Sequence, residues 1–232
     1  MARFEEALWN SNGELVNRDS PFFPLRNAIF DLPPYRGKWP PIWVAAHGPR
    51  MLRIAGRYGD GFFPAFPYSP QDYAQRLDVV RGAASDAGRD PMAITPALLV
   101  MVVAARTRAE VDDALESEVM RAGCLSASDE YFAQHGAEHP LGVGFSGGQD
   151  ILPQDWDEQT ALSHIKGITP DLMRDMGLIG TPDEVLDRVA EWRECGVRHL
   201  VLTNGGLMQR SLRRGAATVP SFYRVVRGIK KL

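Results

Sequence analysis

Only two cysteines, Cys124 and Cys195, occur in 232 residues. They cannot build a disulfide framework, and no Cys-x-x-Cys pair offers a zinc site. A reducing compartment is the plain reading. Long apolar runs are missing as well. The longest, Ala97 to Ala105, falls far short of the ~20 residues that span a bilayer. Met1 to Trp9 carries two acids and no apolar run, so it does not read as a secretory signal. The expectation is a cytoplasmic protein with no membrane span. Nor does charge of one sign dominate: 26 Lys and Arg against 29 Asp and Glu leave a formal charge of −3. That excludes a chain that coats nucleic acid by bulk charge.

Familiar catalytic patterns are also scarce. No Ser-His-Asp or paired-carboxylate arrangement can be nominated. His135 and His139 stand four apart beside Glu138, but Gly136 and Pro140 argue against the helix such a metal pair needs, so no metal is expected. Gly142-Val143-Gly144-Phe145-Ser146-Gly147-Gly148 lacks a Gly-Lys-Ser/Thr ending and has no strand leading into it. It reads as a lid or plain loop rather than a phosphate loop. Cys195 ends a helical stripe and reads as packing. Cys124 has no basic neighbour in sequence and reads as inert.

What remains is an ordinary globular composition, 44% hydrophobic and 24% charged, able to bury a sizeable core. The order of elements is more informative. Met1 to Trp9 reads as helix, and Asn10 to Trp39, rich in Pro, Asn, Gly and Asp, as loop with at most short strands. Pro41 to Ala46 is a short apolar run of the kind buried on both faces of a parallel sheet. His47-Gly48-Pro49 then turns into a helix carrying Met51, Ile54, Ala55 and Tyr58, closed by Gly59. Gly61 to Phe66 reads as a second strand. Ser69-Pro70-Gln71-Asp72 caps a helix whose stripe is Tyr73, Leu77, Val80, Ala84 and Ala87, ending at Gly88.

Leu98 to Val103 is a third strand. Thr107 with Glu110 forms a capping box, and Val111, Leu115 and Val119 carry that helix to Gly123. Periodicity fades from Cys124 to Gly180, apart from a helical stretch at Asp171 to Met176. Thr181-Pro182-Asp183-Glu184 is another capping box, before a helix lined by Val185, Val189 and Trp192 and ended by Gly196. Val197 to Thr203 is a fourth strand, and Pro220 to Leu232 a closing helix with Arg227, Lys230 and Lys231 at its negative end. Strands alternating with helices imply parallel pairing and right-handed crossovers. A doubly wound sheet and part of a β/α barrel both fit.

In either architecture ligands bind beyond the C-terminal strand ends. Four places therefore matter: Ala46-His47-Gly48-Pro49, Ala65-Phe66, Ala105-Arg106-Thr107 and Thr203-Asn204-Gly205-Gly206. At the first, a strand runs through a glycine turn into a helix, which points free N–H groups at an anion. Arg50, Arg53 and Arg57 follow on one helical side. One reading is a site for a phosphate or carboxylate-bearing cofactor. The other is a solvated basic face beside an ordinary turn, with His47 bonded to a neighbouring carbonyl.

Pro41-Ile42-Trp43-Val44-Ala45-Ala46-His47-Gly48-Pro49-Arg50-Met51-Leu52, with Ala55-Gly56-Arg57-Tyr58-Gly59-Asp60-Gly61-Phe62, resembles the luciferase-like flavin and deazaflavin oxidoreductases. Within that family the similarity is closest to the phthiodiolone dimycocerosate ketoreductase group. Ala2 to Leu8, Asp31 to Trp39, Ala83 to Pro91 and Gly180 to Val185 match as well, so the resemblance runs over essentially the whole chain. It implies a TIM-type (β/α)8 barrel holding coenzyme F420, a deazaflavin, at its C-terminal face. Hydride would pass from the reduced ring to a ketone on a long-chain lipid, giving a secondary alcohol. The family's cofactor contact falls on Ala46, His47, Gly48, Pro49 and Arg50, and its pocket lining on Ala65 and Phe66.

The resemblance also implies four strand–helix units ahead of Met1, and these carry the family's catalytic groups. The expectation is therefore the C-terminal half of a barrel, about four strand–helix units in one partial domain. Residues 1–40 would be helix and loop, 41–123 three units, 124–180 an insertion or lid, and 181–232 the last unit and closing helix. Open strand edges would call for a homodimer or a chain supplying the other half, and the chain alone would turn over no ketone. An FMN-dependent luciferase-like monooxygenase is the alternative within enzymes. A non-catalytic half-barrel that binds or assembles is the alternative outside them.

Overall fold

A computed structural model describes residues 7–64, 69–152, 154 and 156–232. The chain divides into two compact units, Met1–Phe63 with Arg76–Pro96, and Pro64–Gln75 with Ala97–Leu232.

The first unit opens with a helical turn at residues 7–9; the rest of the helix expected over Met1 to Trp9 lies outside the described residues. Trp9 stacks on Trp39 at 5.4 Å between centroids, and Phe30 tilts against Trp39 at 5.8 Å. Between these aromatics β1 (Val16–Arg18) and β2 (Leu25–Ala28) pair antiparallel, so the loop segment holds short strands. Strand β3 (Trp43–Val44), helix α1 (Pro49–Tyr58) and strand β4 (Gly61–Phe62) then form a parallel β-α-β unit with Trp43 opposite Gly61. Both strands are shorter than their apolar runs. Pro41 has no N–H to give, and among the described residues the ladder ends with Phe63 N–H to Val44 O at 3.0 Å.

Helix α2 (Pro70–Asp86) begins in the second unit and continues in the first. Its Ser69 cap is present, the hydroxyl accepting Asp72 N–H at 3.0 Å. Within the first unit α1 packs on α2 at Gly56, with Leu52 and Ala55 buried beside it. Arg89 donates to Gly56 O at 2.6 Å, and Asp60 accepts Ile42 N–H at 2.9 Å. Strand β4 pairs in parallel with the start of β5 (Thr95–Ala104), Gly61 facing Thr95.

In the second unit β5 continues and pairs in parallel with β7 (His199–Asn204), in register from Ala97–His199 to Val102–Asn204. It also pairs in parallel with β6 (Leu178–Gly180), a strand that the fading periodicity of Cys124 to Gly180 concealed. Three residues are too short to show a period. Helix α3 (Arg108–Leu115) carries the expected capping box, Thr107 Oγ1 accepting Glu110 N–H and Glu110 accepting Thr107 N–H, both at 3.2 Å. It does not run to Gly123. Ser117 is extended and its hydroxyl donates to Met208 O at 2.5 Å, so a separate helix α4 (Glu118–Cys124) follows. Met120 and Cys124, not Val119, face the core.

Short helices α5 (Asp129–Gln134) and α6 (Glu158–His164) fill the stretch read as aperiodic, and α7 (Pro170–Asp175) is the helix expected over Asp171 to Met176. Each has its own cap, from Ser128, Asp157 and Thr169, each accepting the N–H three residues on. Tyr131, Phe132, Ile165, Leu172 and Met173 from this stretch pack with Val103, Val111, Leu115 and Ile179 in one core cluster. Helix α8 (Pro182–Glu194) starts at Thr181, whose N–H and hydroxyl both donate to Glu184 Oε2 at 2.8 and 3.0 Å. Those bonds, with Arg108 beside them, hold the Glu184 carboxyl below its usual range. Helix α9 (Leu212–Ile229) starts at the Ser211 cap rather than at Pro220, which sits inside it. The helix begins eight residues before the proline and packs on α8, and that contact outweighs the intrahelical bond a proline forfeits.

Candidate functional site

The turn leaving β3 carries the strongest expectation, and it lies wholly in the first unit. Ile42 O accepts the N–H groups of Asp60 and Gly61 at 2.7 and 3.2 Å, which fixes where β3 ends relative to β4. The indole of Trp43 covers Gly61 so closely that a Cβ there would lie 2.7 Å from the ring. Its outer edge meets Phe63, with centroids 5.4 Å apart. From this fixed strand the chain rises through Ala46, fully buried, to His47, Gly48, Pro49 and Arg50, all exposed.

Pro49 opens α1 at the position where a missing N–H costs nothing. The first helical bond runs from Leu52 N–H to Gly48 O at 3.0 Å, so the N–H groups of Arg50 and Met51 stand ahead of the intrahelical ladder. Gly48 gives them no side-chain cap, and the first turn of α1 contains no acid. Arg50 therefore sits at the positive end of the helix dipole, where a cation is disfavoured and an anion is favoured.

Gly48 itself departs from expectation. A tight turn needing glycine would show a positive φ, yet Gly48 has φ −79° and ψ 158°, open to any residue. A Cβ built there meets none of the described residues within 4 Å. Neither the backbone angles nor the described residues demand glycine at this place.

A residue that the sequence pattern did not single out completes the turn. The guanidinium of Arg76, on α2, donates to the carbonyl of His47. Arg76 borders the Tyr73–Leu77–Val80 stripe, half-buried like Arg81 on its other edge, and no local feature separates the two. Only the tertiary fold brings it to the turn. Ala65 and Phe66, the expected pocket lining, lie outside the described residues.

The other strand ends belong to the second unit. After β5, Arg106 pairs with Glu110 at 2.9 Å beside the Thr107 cap. After β7, Asn204 Oδ1 accepts Gly206 N–H at 3.1 Å. His139 is buried between rings, stacked on Phe145 at 4.3 Å and edge-on to Phe132 at 4.4 Å. Its Nδ1 accepts Leu141 N–H at 3.0 Å, which leaves Nε2 as the donor toward Leu125 O at 3.3 Å. His135 lies 2.8 Å from Tyr131 O and 3.6 Å from Asp175. Both histidines are thus committed to the protein. Among the described residues no group of three His, Cys, Asp or Glu could hold a metal ion, and no helix is long and apolar enough to cross a membrane. Cys124 is buried, and burial pushes its thiol up to about 12.

The chain is similar to known proteins over most of its length. The luciferase-like monooxygenase family matches residues 3–199. A protein of Mycobacterium sp. (strain JLS) named phthiodiolone/phenolphthiodiolone dimycocerosates ketoreductase is 61% identical over the whole of this chain. Its counterpart in Mycobacterium tuberculosis (strain ATCC 25618 / H37Rv) is 55% identical. The chain spans 62% of the length of each. Among solved structures, the coenzyme F420 dependent tetrahydromethanopterin reductase from Methanopyrus kandleri superposes with a TM-score of 0.68 at 17% identity, over 94% of this chain and 60% of its own. An F420-dependent secondary alcohol dehydrogenase in complex with an F420-acetone adduct gives 0.66 at 17% identity, over 97% of this chain and 59% of its own. That likeness shows the expected α/β fold, part of a luciferase-like barrel.

Proposed function

Because this chain belongs to the luciferase-like monooxygenase family, we propose that it binds a deazaflavin of the F420 type and serves in the reduction of a ketone on a long-chain lipid. The observation that carries this reading is 61% identity over the full chain to a relative named as a ketoreductase. When bound, the reduced deazaflavin supplies a hydride, which together with a proton converts the ketone to a secondary alcohol.

The turn after β3 fits a coenzyme that bears a phosphate. His47 and Gly48 are exposed, and no Cβ intrudes at Gly48. The N–H groups of Arg50 and Met51, with the Arg50 side chain, would hold the phosphate, and Pro49 sets the helix that aims them. Negative charge there relieves the mismatch between Arg50 and the helix dipole. Arg76 positions the turn through the His47 carbonyl. Ala65 and Phe66 are assigned to the wall of the ketone pocket on the family resemblance.

Fluorescence titration of the chain with coenzyme F420, and separately with FMN, tests the reading. We expect saturable binding of F420, weaker binding of FMN, and competition by inorganic phosphate. Tighter binding of FMN would replace the reading with that of a flavin monooxygenase. Absence of saturable F420 binding overturns the coenzyme assignment.

A further inference from the structure

We propose that the loop leading from β7 into α9, together with the first turn of that helix, residues 207–214, docks on an anionic lipid surface. The root of the loop is fixed. Gly205 and Gly206 are buried, and a Cβ on Gly206 would lie 2.4 Å from Thr218 Oγ1. Gln209 Nε2 donates to Gly206 O at 2.9 Å, and the Ser117 hydroxyl holds Met208 O from the side. The Ser211 hydroxyl accepts Arg214 N–H at 3.5 Å and starts α9.

On this ordered frame the apolar side chains point outward. Leu212 is 89% exposed, Leu207 53% and Met208 39%. Arg210, Arg213 and Arg214 alternate with them, all exposed. From Cys195 to Leu232 the sequence holds no Asp or Glu and eight Lys or Arg, although the whole chain is net acidic. Asp113 on α3 takes up Arg214 at 2.7 Å, and Glu116, next to Ser117, is held by Arg121 at 2.5 Å. Arg210 and Arg213 form no ion pair with another described residue.

Exposed aliphatic groups between uncompensated guanidiniums match a lipid surface. Leucine and methionine enter the boundary between headgroups and acyl chains, while arginine meets the phosphates. Nucleic acid would satisfy the charge, but its single strands are held on aromatic platforms, and residues 205–214 contain no aromatic side chain. The loop leaves the C-terminal end of β7, the end at which parallel α/β folds take their ligands. Docking would therefore turn that end toward the lipid. Only the link to a lipid ketone rests on the ketoreductase reading; the docking stands on the loop alone.

Co-sedimentation of the full chain with vesicles tests this, using phosphatidylcholine alone and phosphatidylcholine mixed equally with phosphatidylglycerol. We expect binding to the mixed vesicles to be at least about tenfold tighter, and to fall as salt is raised. The double variant Arg210→Ser/Arg213→Ser should lose about tenfold in affinity for the mixed vesicles. Leu212→Ser should also bind them more weakly. Both variants should melt like the parent, since the altered side chains are exposed. Equal binding to the two vesicles, binding to neither, or variants that bind like the parent would overturn the inference. So would tighter association with single-stranded DNA than with the mixed vesicles. The vesicles contain neither coenzyme nor ketone, so a failed F420 titration leaves this result readable.

Discussion

Gly56 on α1 lies against the backbone of Val80 on α2 so closely that a methyl group at Gly56 would sit 2.1 Å from the Val80 carbonyl oxygen. Ala83 Cβ and Ala84 N would be 2.8 and 2.9 Å away. Backbone cannot yield as a side chain can. In an exposed helix, Gly→Ala stabilises by about 1 kcal/mol. Here the sign reverses: Gly56→Ala should destabilise by roughly 1–3 kcal/mol through overpacking. Urea unfolding measures it, and a variant as stable as the parent would show that the two helices are not in this contact.

Gly48 provides the opposite case, and so a clean probe of the coenzyme turn. Its φ of −79° and the lack of any described residue within 4 Å of its Cβ position mean that Gly48→Val should leave the unfolding midpoint nearly unchanged. The valine side chain would instead occupy the space above the turn. F420 affinity, read by fluorescence titration, should fall at least about tenfold if the backbone must approach the ligand closely. Unchanged affinity removes Ala46–Arg50 from the binding site.

The contrast between these two glycines shows which part of the molecule is legible in the sequence. Caps and stripes are local, so Ser69, Thr107 and Thr181 could be read directly, as could helix 49–58 between its proline and Gly59. Features set by distant partners could not. The break at Ser117 depends on Met208, ninety-one residues on, and the clamp on His47 comes from Arg76, twenty-nine residues on. Strand β6 is three residues long and exists because β5 offers it a ladder. The candidate turn was visible as a strand–glycine–proline–helix signal. That its glycine is free of any demand from the fold was visible only in the backbone angles.

The two thiols should behave differently. Cys124 is 3% exposed and burial holds its thiol up at about 12, so almost no thiolate is present near neutrality. Cys195 is partly exposed at the end of α8. Treatment of the folded protein with iodoacetamide should label Cys195 alone, and both residues once urea is added. Mass spectrometry of the peptides decides it. Rapid labelling of Cys124 in the folded protein would mean that the α4–α5 core opens easily.

His139 couples the same core to pH. Its ring is buried against Phe132 and Phe145, and burial lowers its proton affinity below the ordinary value of 6.5, despite the opposing pull of the Leu125 carbonyl and of Asp129. Protonation would also turn Nδ1 from an acceptor into a donor facing Leu141 N–H. The sign follows from linkage. Below 6.5 the unfolded chain takes up a proton that the folded chain resists, so stability is lost as pH falls, and no such loss occurs above it. Urea midpoints of the parent should therefore drop between about pH 7.5 and about pH 5.5. His139→Asn keeps an acceptor for Leu141 N–H but cannot titrate, and its midpoint should drop less over the same interval. Equal pH dependence in the two proteins would assign the effect to other groups and leave His139 a packing residue only.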